Sequence, residues 1–223
     1  MSKENKIDMG QALFSDRERF EMWFSENWKR TAVISLAVVV AISVAFGIKN
    51  HIEESRANAA AALSAASTVE TLKEAVGKYS DSAAVPMAKL RLANMLFDKG
   101  SYNDAIPYLK DVAGSADADS VLKNAAKMNY AKALELTGKT EDAAKAFAAL
   151  AADNGISFSV KSEAAFNAAR LYAKLGKTKA ALEEIQNISV SGNASGNPMM
   201  NIYAESANAL KIAIENGEYG KIQ

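Results

Sequence analysis

Residues 131–150, AKALELTGKTEDAAKAFAAL, decide the fold, because their pattern stands again at 93–112 and at 169–188 with no insertion or deletion. The shift superposes Ala93, Ala131 and Ala169, then Leu96, Leu134 and Tyr172, then Gly100, Gly138 and Gly176. It continues through Ala105, Ala143 and Ala181, through Leu109, Phe147 and Ile185, and through Val112, Leu150 and Ile188. Agreement of six columns over three copies marks internal repetition. Small residues in the first and fourth columns let two helices approach, large apolar ones fill the seam, and glycine supplies the left-handed residue that ends a helix. Thr140 and Thr178 stand where they can cap the second helices. Residues 85–188 therefore read as three units of helix, tight turn and helix.

The flanks extend this helical pattern. Upstream, Ser67-Thr68-Val69-Glu70 reads as a capping box with Ser67 at the cap, opening a helix with Leu72, Val76 and Tyr79 on one face and a stop at 80–82. Downstream, SVSGNASGN at 189–197 has the composition of a flexible link. Asn197-Pro198 reads as a cap and a first-turn proline, starting a last helix through Ile202, Ala209, Ile212 and Ala213 to about Asn216. This helix is expected to cover the end of the stack, with 217–223 frayed.

A different kind of stretch lies at 31–48, TAVISLAVVVAISVAFGI, which holds no charge. As a helix it rises about 27 Å, close to the roughly 30 Å hydrocarbon core of a bilayer. Trp23 and Trp28 fall where an aromatic belt would lie, and Lys29, Arg30 and Lys49 can reach the headgroups. Two rivals are a buried core helix and a cleaved signal peptide, for which Ser43-Val44-Ala45 offers small residues. The flanks argue against the first. Against the second, the leader at 1–30 is long and carries six acidic side chains, and the run exceeds the usual h-region of about 7–15 residues. An uncleaved transmembrane helix is favoured.

Six Lys and Arg precede the span, whereas only Lys49 and Arg56 stand at 49–68 beyond it. The amino terminus is therefore expected in the cytoplasm and residues 49–223 outside it. Residues 1–30 form a cytoplasmic arm, helical from about Ser15, with Phe20, Trp23 and Phe24 on one face laid against the membrane before the chain turns in. Residues 49–84 are linking helices, since no Gly or Pro interrupts 49–66.

The chain balances 26 basic against 26 acidic residues, six of each before the span and 20 of each after it. No basic field exists for a phosphate backbone, so nucleic acid is not an expected partner. Cysteine is absent, which excludes disulfides, thiolate chemistry and Cys-ligated metals. Alanine, Lys and Glu with three prolines are a composition of helices.

Ala131, Gly138, Ala143 and Phe147 occupy the small, glycine, alanine and large apolar positions in a way that resembles the tetratricopeptide repeat family. The period departs from that family's usual length of about 34, and its early tryptophan and its terminal proline are missing. The extra residues are expected to lengthen the links at 114–119 and 154–159. The order of arm, an entry at Phe24-Ser25-Glu26-Asn27, one span, a long linking helix and repeats is similar to the YfgM-type ancillary subunits of the bacterial Sec translocon. That resemblance implies a periplasmic chaperone-like domain tethered near the translocon and acting with a membrane-bound peptidyl-prolyl isomerase.

Chemistry-bearing motifs are sparse. The single histidine, His51, falls just outside the span, where it reads as an interfacial polar residue. Gly138-Lys139-Thr140 and Gly176-Lys177-Thr178 copy the end of a phosphate-binding loop, but Ala133 and Leu171 replace the required glycine and no strand precedes. The sequons at Asn187 and Asn193 matter only on a eukaryotic secretory route. No catalytic residue, metal, cofactor or small-molecule substrate is expected.

What remains is a surface. The resemblance implies an inner face lined by first helices, at Met87, Leu90, Asn94, Phe97, Met128, Lys132, Glu135, Phe166 and Arg170. Five of these nine are apolar, and Met repacks easily, so the face suits segments of loosely specified sequence; burial by the linking helix or a neighbouring repeat is the alternative. The basic clamp that grips heat-shock chaperone termini is not matched: Asn94 and Asn129 fit, but Leu90, Glu163 and Asn167 replace its cations. The expectation is an all-α, single-pass protein of the bacterial inner membrane presenting a periplasmic helical-repeat module for proteins, as a translocon-associated chaperone or adaptor. An assembly scaffold for an envelope or cell-division complex is the second reading, and inverted topology would place the repeats in the cytoplasm.

Overall fold

The computed structural model describes residues 16–192 and 198–219, the stretches 189–192 and 198–201 by their backbone alone. The described residues form nine helices and no strand: α1 Asp16–Ala65, α2 Val69–Lys78, α3 Val85–Asp98, α4 Tyr102–Gly114, α5 Ser120–Leu136, α6 Thr140–Ala151, α7 Phe158–Lys174, α8 Thr178–Gly192 and α9 Pro198–Glu215. The chain divides into two compact units, Met1–Ala57 and Asn58–Gln223.

In the first unit the described chain is one helix. Residues 31–48 are long and apolar enough to cross a membrane and none of them is buried; Val33 is 68% exposed and Leu36 65%. Phe20 stacks on Phe24 at 6.0 Å and meets Trp23 at 6.3 Å, so the expected aromatic face exists. Lys29 Nζ lies 5.8 Å from the Trp28 ring, and Trp23, Trp28, Lys29, Arg30 and Lys49 are all exposed. The expected turn between arm and apolar run is absent, since α1 runs unbroken from Asp16. Without Gly or Pro between 16 and 46, nothing in this stretch breaks the backbone ladder.

In the second unit consecutive helices pack in order from α2 through α9, with α3 also against α5 and α7 against α9. The columns of the repeat register are its core. Ala93, Ala131, Ala169, Ala105, Ala143 and Ala181 are wholly buried, as are Leu109, Phe147 and Val112, and Ile185, Leu150 and Ile188 nearly so. Each aligned glycine has positive φ, +73° at Gly100, +79° at Gly138 and +72° at Gly176. The N–H just beyond each of these glycines returns to a carbonyl in the last turn of the helix: Ser101 to Leu96, Lys139 to Leu134 and Lys177 to Tyr172, at 2.8–2.9 Å. This double-bonded glycine turn closes orphan carbonyls and sends the chain back along the helix just finished. A Cβ at Gly138 would meet no atom within 4 Å, so the cost of Gly138→Ala is backbone strain alone, about 1–2 kcal/mol. Gly138→Asn is expected to cost less, a ranking that urea unfolding followed by helical circular dichroism checks.

Four expectations about helix ends need correction. The cap of α2 is Thr68, not Ser67, and its reciprocal partner is Thr71, not Glu70: each backbone N–H donates to the other hydroxyl at 3.1 Å. This start buries Val69, Leu72 and Val76 together. Thr140 and Thr178 do not cap, because each is already the first helical residue; Lys139 holds the cap position of α6 without a side-chain bond. The tail is not frayed through Tyr219. Gly217 at φ +65° repeats the same turn, Glu218 N–H donates to the Ala213 carbonyl at 2.9 Å, and the Tyr219 hydroxyl donates to the Arg170 carbonyl at 2.9 Å. The link at 189–197 is also shorter than its composition indicates, as α8 continues to Gly192. Asn197, read as a cap, lies outside the described residues, as do 1–15 and 220–223.

Helix α9 lays Ala207 and Leu210 into the cluster of Ala165, Ala169, Ile185 and Ile188, and leaves Ile202 and Ile212 exposed. At the other end, the Arg91 guanidinium donates to the carbonyls of Leu63 at 2.7 Å, Ser64 at 3.3 Å and Ala66, closing the carboxyl end of α1.

Candidate protein-binding face

The nine expected face residues fall on α3, α5 and α7, and they divide into three groups. Met87 is 58% exposed and Asn94 is exposed, whereas Phe97, Lys132, Glu135, Phe166 and Arg170 are half-buried. Leu90 is buried at 8% in the cluster that holds Leu63, Val69 and Leu72, so it is a core residue and not part of a groove. Met128 is buried at 6% and shows only its edge. The aromatic members are also engaged: Phe97 meets Tyr102 edge-on at 5.3 Å, and Phe166 faces Tyr203 of α9 at 6.2 Å.

The charges of this face are paired across neighbouring helices. Arg170 makes a two-pronged pair with Glu135, both bonds 2.8 Å, and Lys132 donates to Glu163 at 2.9 Å. Asn129 donates to Asn94 at 3.0 Å. The two-pronged bond to Glu135 holds the Arg170 guanidinium above its ordinary pKa, against the opposing cost of burial. Successive first helices are thus stitched by a polar row in which each of these charges meets its opposite.

Beside this row a cleft of about 440 Å³ opens between the first halves of α5 and α7. Val121, Met128, Ile156 and Val160 give it apolar walls, and Val121 is 74% exposed. The Asp119 carboxylate accepts from Leu122 N–H at 2.8 Å and starts α5 early enough to bring Val121 onto this wall. Ser157 caps α7 likewise, its hydroxyl oxygen accepting from Val160 N–H at 3.5 Å. Sequence reasoning missed Val121, Ile156 and Val160. In the repeat register Val121 aligns with Ala83 and Ser159, of which Ala83 precedes α3. The usable signal is the Asp119 cap.

A second cleft, about 420 Å³, lies among α6, α7 and α8, with Glu184, Lys161 and the buried Ser162 on its lining. Burial pushes the Glu184 carboxyl up to about 7; the neighbouring Glu183 adds to this and a hydrogen bond with Asn187 opposes it. The folded protein therefore keeps a proton that the unfolded chain has released, and stability falls as pH rises from about 4.5 through about 7. Glu184→Gln is expected to raise the thermal midpoint at pH 8, leave it unchanged near pH 4.5 and flatten the slope between.

Among the described residues no group of three His, Cys, Asp or Glu could hold a metal. Gly138-Lys139-Thr140 and Gly176-Lys177-Thr178 are the glycine turns already described, with Lys177 paired to Glu141 at 2.9 Å.

No family model, no curated protein and no solved structure matches this chain.

Proposed function

We propose that this protein is a membrane-anchored protein-binding module, with α1 crossing the bacterial inner membrane once and the helical domain held in the periplasm. The domain acts as a tetratricopeptide-like solenoid of three repeats closed by α9. Tethering raises its effective concentration near emerging chains or partner subunits, as a chaperone or adaptor beside the Sec translocon and its associated peptidyl-prolyl isomerase. The observation that carries this reading is α1 itself. Its apolar run contributes nothing to any core, while the same helix ends with Ala59 and Leu63 buried. An 18-residue apolar surface with no partner among the described residues calls for lipid, and a preformed, charge-paired helical stack calls for a polypeptide ligand rather than a reaction.

Photocrosslinking in native membranes from Met87 and Val121, both well exposed, tests this. Adducts with many exported chains and with translocon subunits are expected. One dominant adduct would make the protein a scaffold, and none from either position would refute a binding role for this face.

A further inference from the structure

We propose that the cleft among α6, α7 and α8 binds a small zwitterion, an amino acid whose ammonium pairs with Glu184 and whose carboxylate pairs with Lys161. The site is separate from the protein-binding face. On α7 the spacing of Phe158, Lys161, Ser162 and Ala165 turns one stripe to this cleft, whereas Val160 and Glu163 line the cleft beside α5. The volume, about 420 Å³, suits a ligand of this size. Ala148, Ala151 and Ala165 leave the room open and offer an apolar wall to a short methylene chain.

Two charges decide the ligand. Among the described residues Lys161 and Glu184 are the charged members of the lining, both are half-buried, and they form no ion pair with each other. Where half-buried charges of opposite sign come close elsewhere in the domain they join: Arg170 to Glu135, Lys132 to Glu163 and Lys127 to Asp153. Glu184 instead meets the Asn187 amide, and Lys161 donates to the Asn154 side-chain oxygen at 3.0 Å, so each charge faces a neutral partner. Asp153, whose charge acts on Lys161, is itself bonded to Lys127 and to the Gly155 N–H. The sequence at 189–204, which follows α8 Glu184 and leads into α9, holds no charged residue that could supply the missing partner. In the repeat register Glu184 takes the place of Tyr108 and Ala146, which pack against the cores of the preceding units. A carboxylate at a packing column costs the fold desolvation, and a ligand's ammonium offsets that cost. The single bond to Asn154 leaves two N–H groups of Lys161 for a carboxylate.

The test titrates the full chain in nanodiscs with glycine, β-alanine and γ-aminobutyrate, and with butylamine and butyrate, which carry one charge each. The best of the three zwitterions is expected to bind about tenfold more tightly than either single-charge analogue. Glu184→Gln and Lys161→Gln, with helical circular dichroism equal to the parent's, are each expected to weaken it about tenfold, whereas Lys139→Gln, exposed between α5 and α6, has no effect. Glu184 must be ionised to hold the ammonium, so affinity falls as pH drops through about 7, and Glu184→Gln removes this dependence. The other charges near Glu184 are Glu183 on α8 and Lys161 on α7, and α6 brings only alanines to the lining. Lys161→Gln therefore keeps the pH dependence while losing affinity. Equal binding of the zwitterions and butylamine would overturn the proposal, as would equal binding by Glu184→Gln and the parent, or no binding of any zwitterion. None of these outcomes bears on the crosslinks from Met87 and Val121, which test the protein-binding reading separately.

Discussion

Phe147→Ala lowers the unfolding free energy of the helical domain by about 3–5 kcal/mol. Phe147 is the largest wholly buried side chain among the described residues, packed in the cluster with Leu134, Leu150 and Leu171. The rest of that cluster is rich in alanine, at 131, 143, 144, 164 and 168, and an alanine side chain has no rotamers with which to fill a void. The cavity should therefore persist. Phe147→Leu supplies the control, since Leu109 and Ile185 occupy the same column in the flanking units, and it is expected to cost about 1 kcal/mol. Urea unfolding of the full chain in micelles, followed by helical circular dichroism, measures both. A loss below about 1 kcal/mol for the alanine variant would mean that the column is not the domain's core.

Arg91→Ala is the second large effect, about 2–3 kcal/mol, and its origin is different. The guanidinium reaches three carbonyls at the end of α1, those of Leu63, Ser64 and Ala66. Its positive charge also sits at the negative end of a helix. Removal leaves the Leu63 carbonyl beside a side chain only 3% exposed, where water has poor access. The loss is local, so hydrogen exchange should quicken at 59–66 and at the start of α2 before it changes in α5 or α6. Arg91→Lys should recover less than half, because a single ammonium nitrogen replaces the two guanidinium nitrogens that reach these carbonyls. Uniform acceleration across the domain would contradict a capping role.

The helices were legible from the sequence because one packing pattern recurs at 93–112, 131–150 and 169–188, and glycine must stand where φ turns positive. The expected face was only partly legible. Residues that align in the register do not face one another across the stack: Asn94 meets Asn129 and Glu135 meets Arg170 at a separation of 35, and Lys132 meets Glu163 at 31. These spacings fall short of the period by about one and two helical turns, the offset expected when neighbouring helices are inclined. Charges that look isolated in aligned columns are therefore paired diagonally. Leu90 escapes the register for a related reason. Its counterpart Met128 belongs to the middle cluster and keeps an edge at the cleft, whereas Leu90 is enclosed with Leu63, Val69 and Leu72 of α1 and α2, which the register does not cover. Tyr219 shows a third limit, since its hydroxyl meets the carbonyl of Arg170, so far back along the chain that no local pattern marks the contact.

The proposed function depends on α1 carrying the helical domain across a membrane, and the absence of cysteine makes that directly measurable. Ser25→Cys on the arm and Leu136→Cys in α5 each give a full-length chain one exposed thiol. A membrane-impermeant maleimide is added to cells whose inner membrane is intact and whose outer envelope is permeable. The account predicts that the thiol at 136 is labelled at once and that the thiol at 25 is labelled only after the inner membrane is opened, both on uncleaved chains. Labelling of both from outside, of position 25 alone, or of a shortened chain would contradict it.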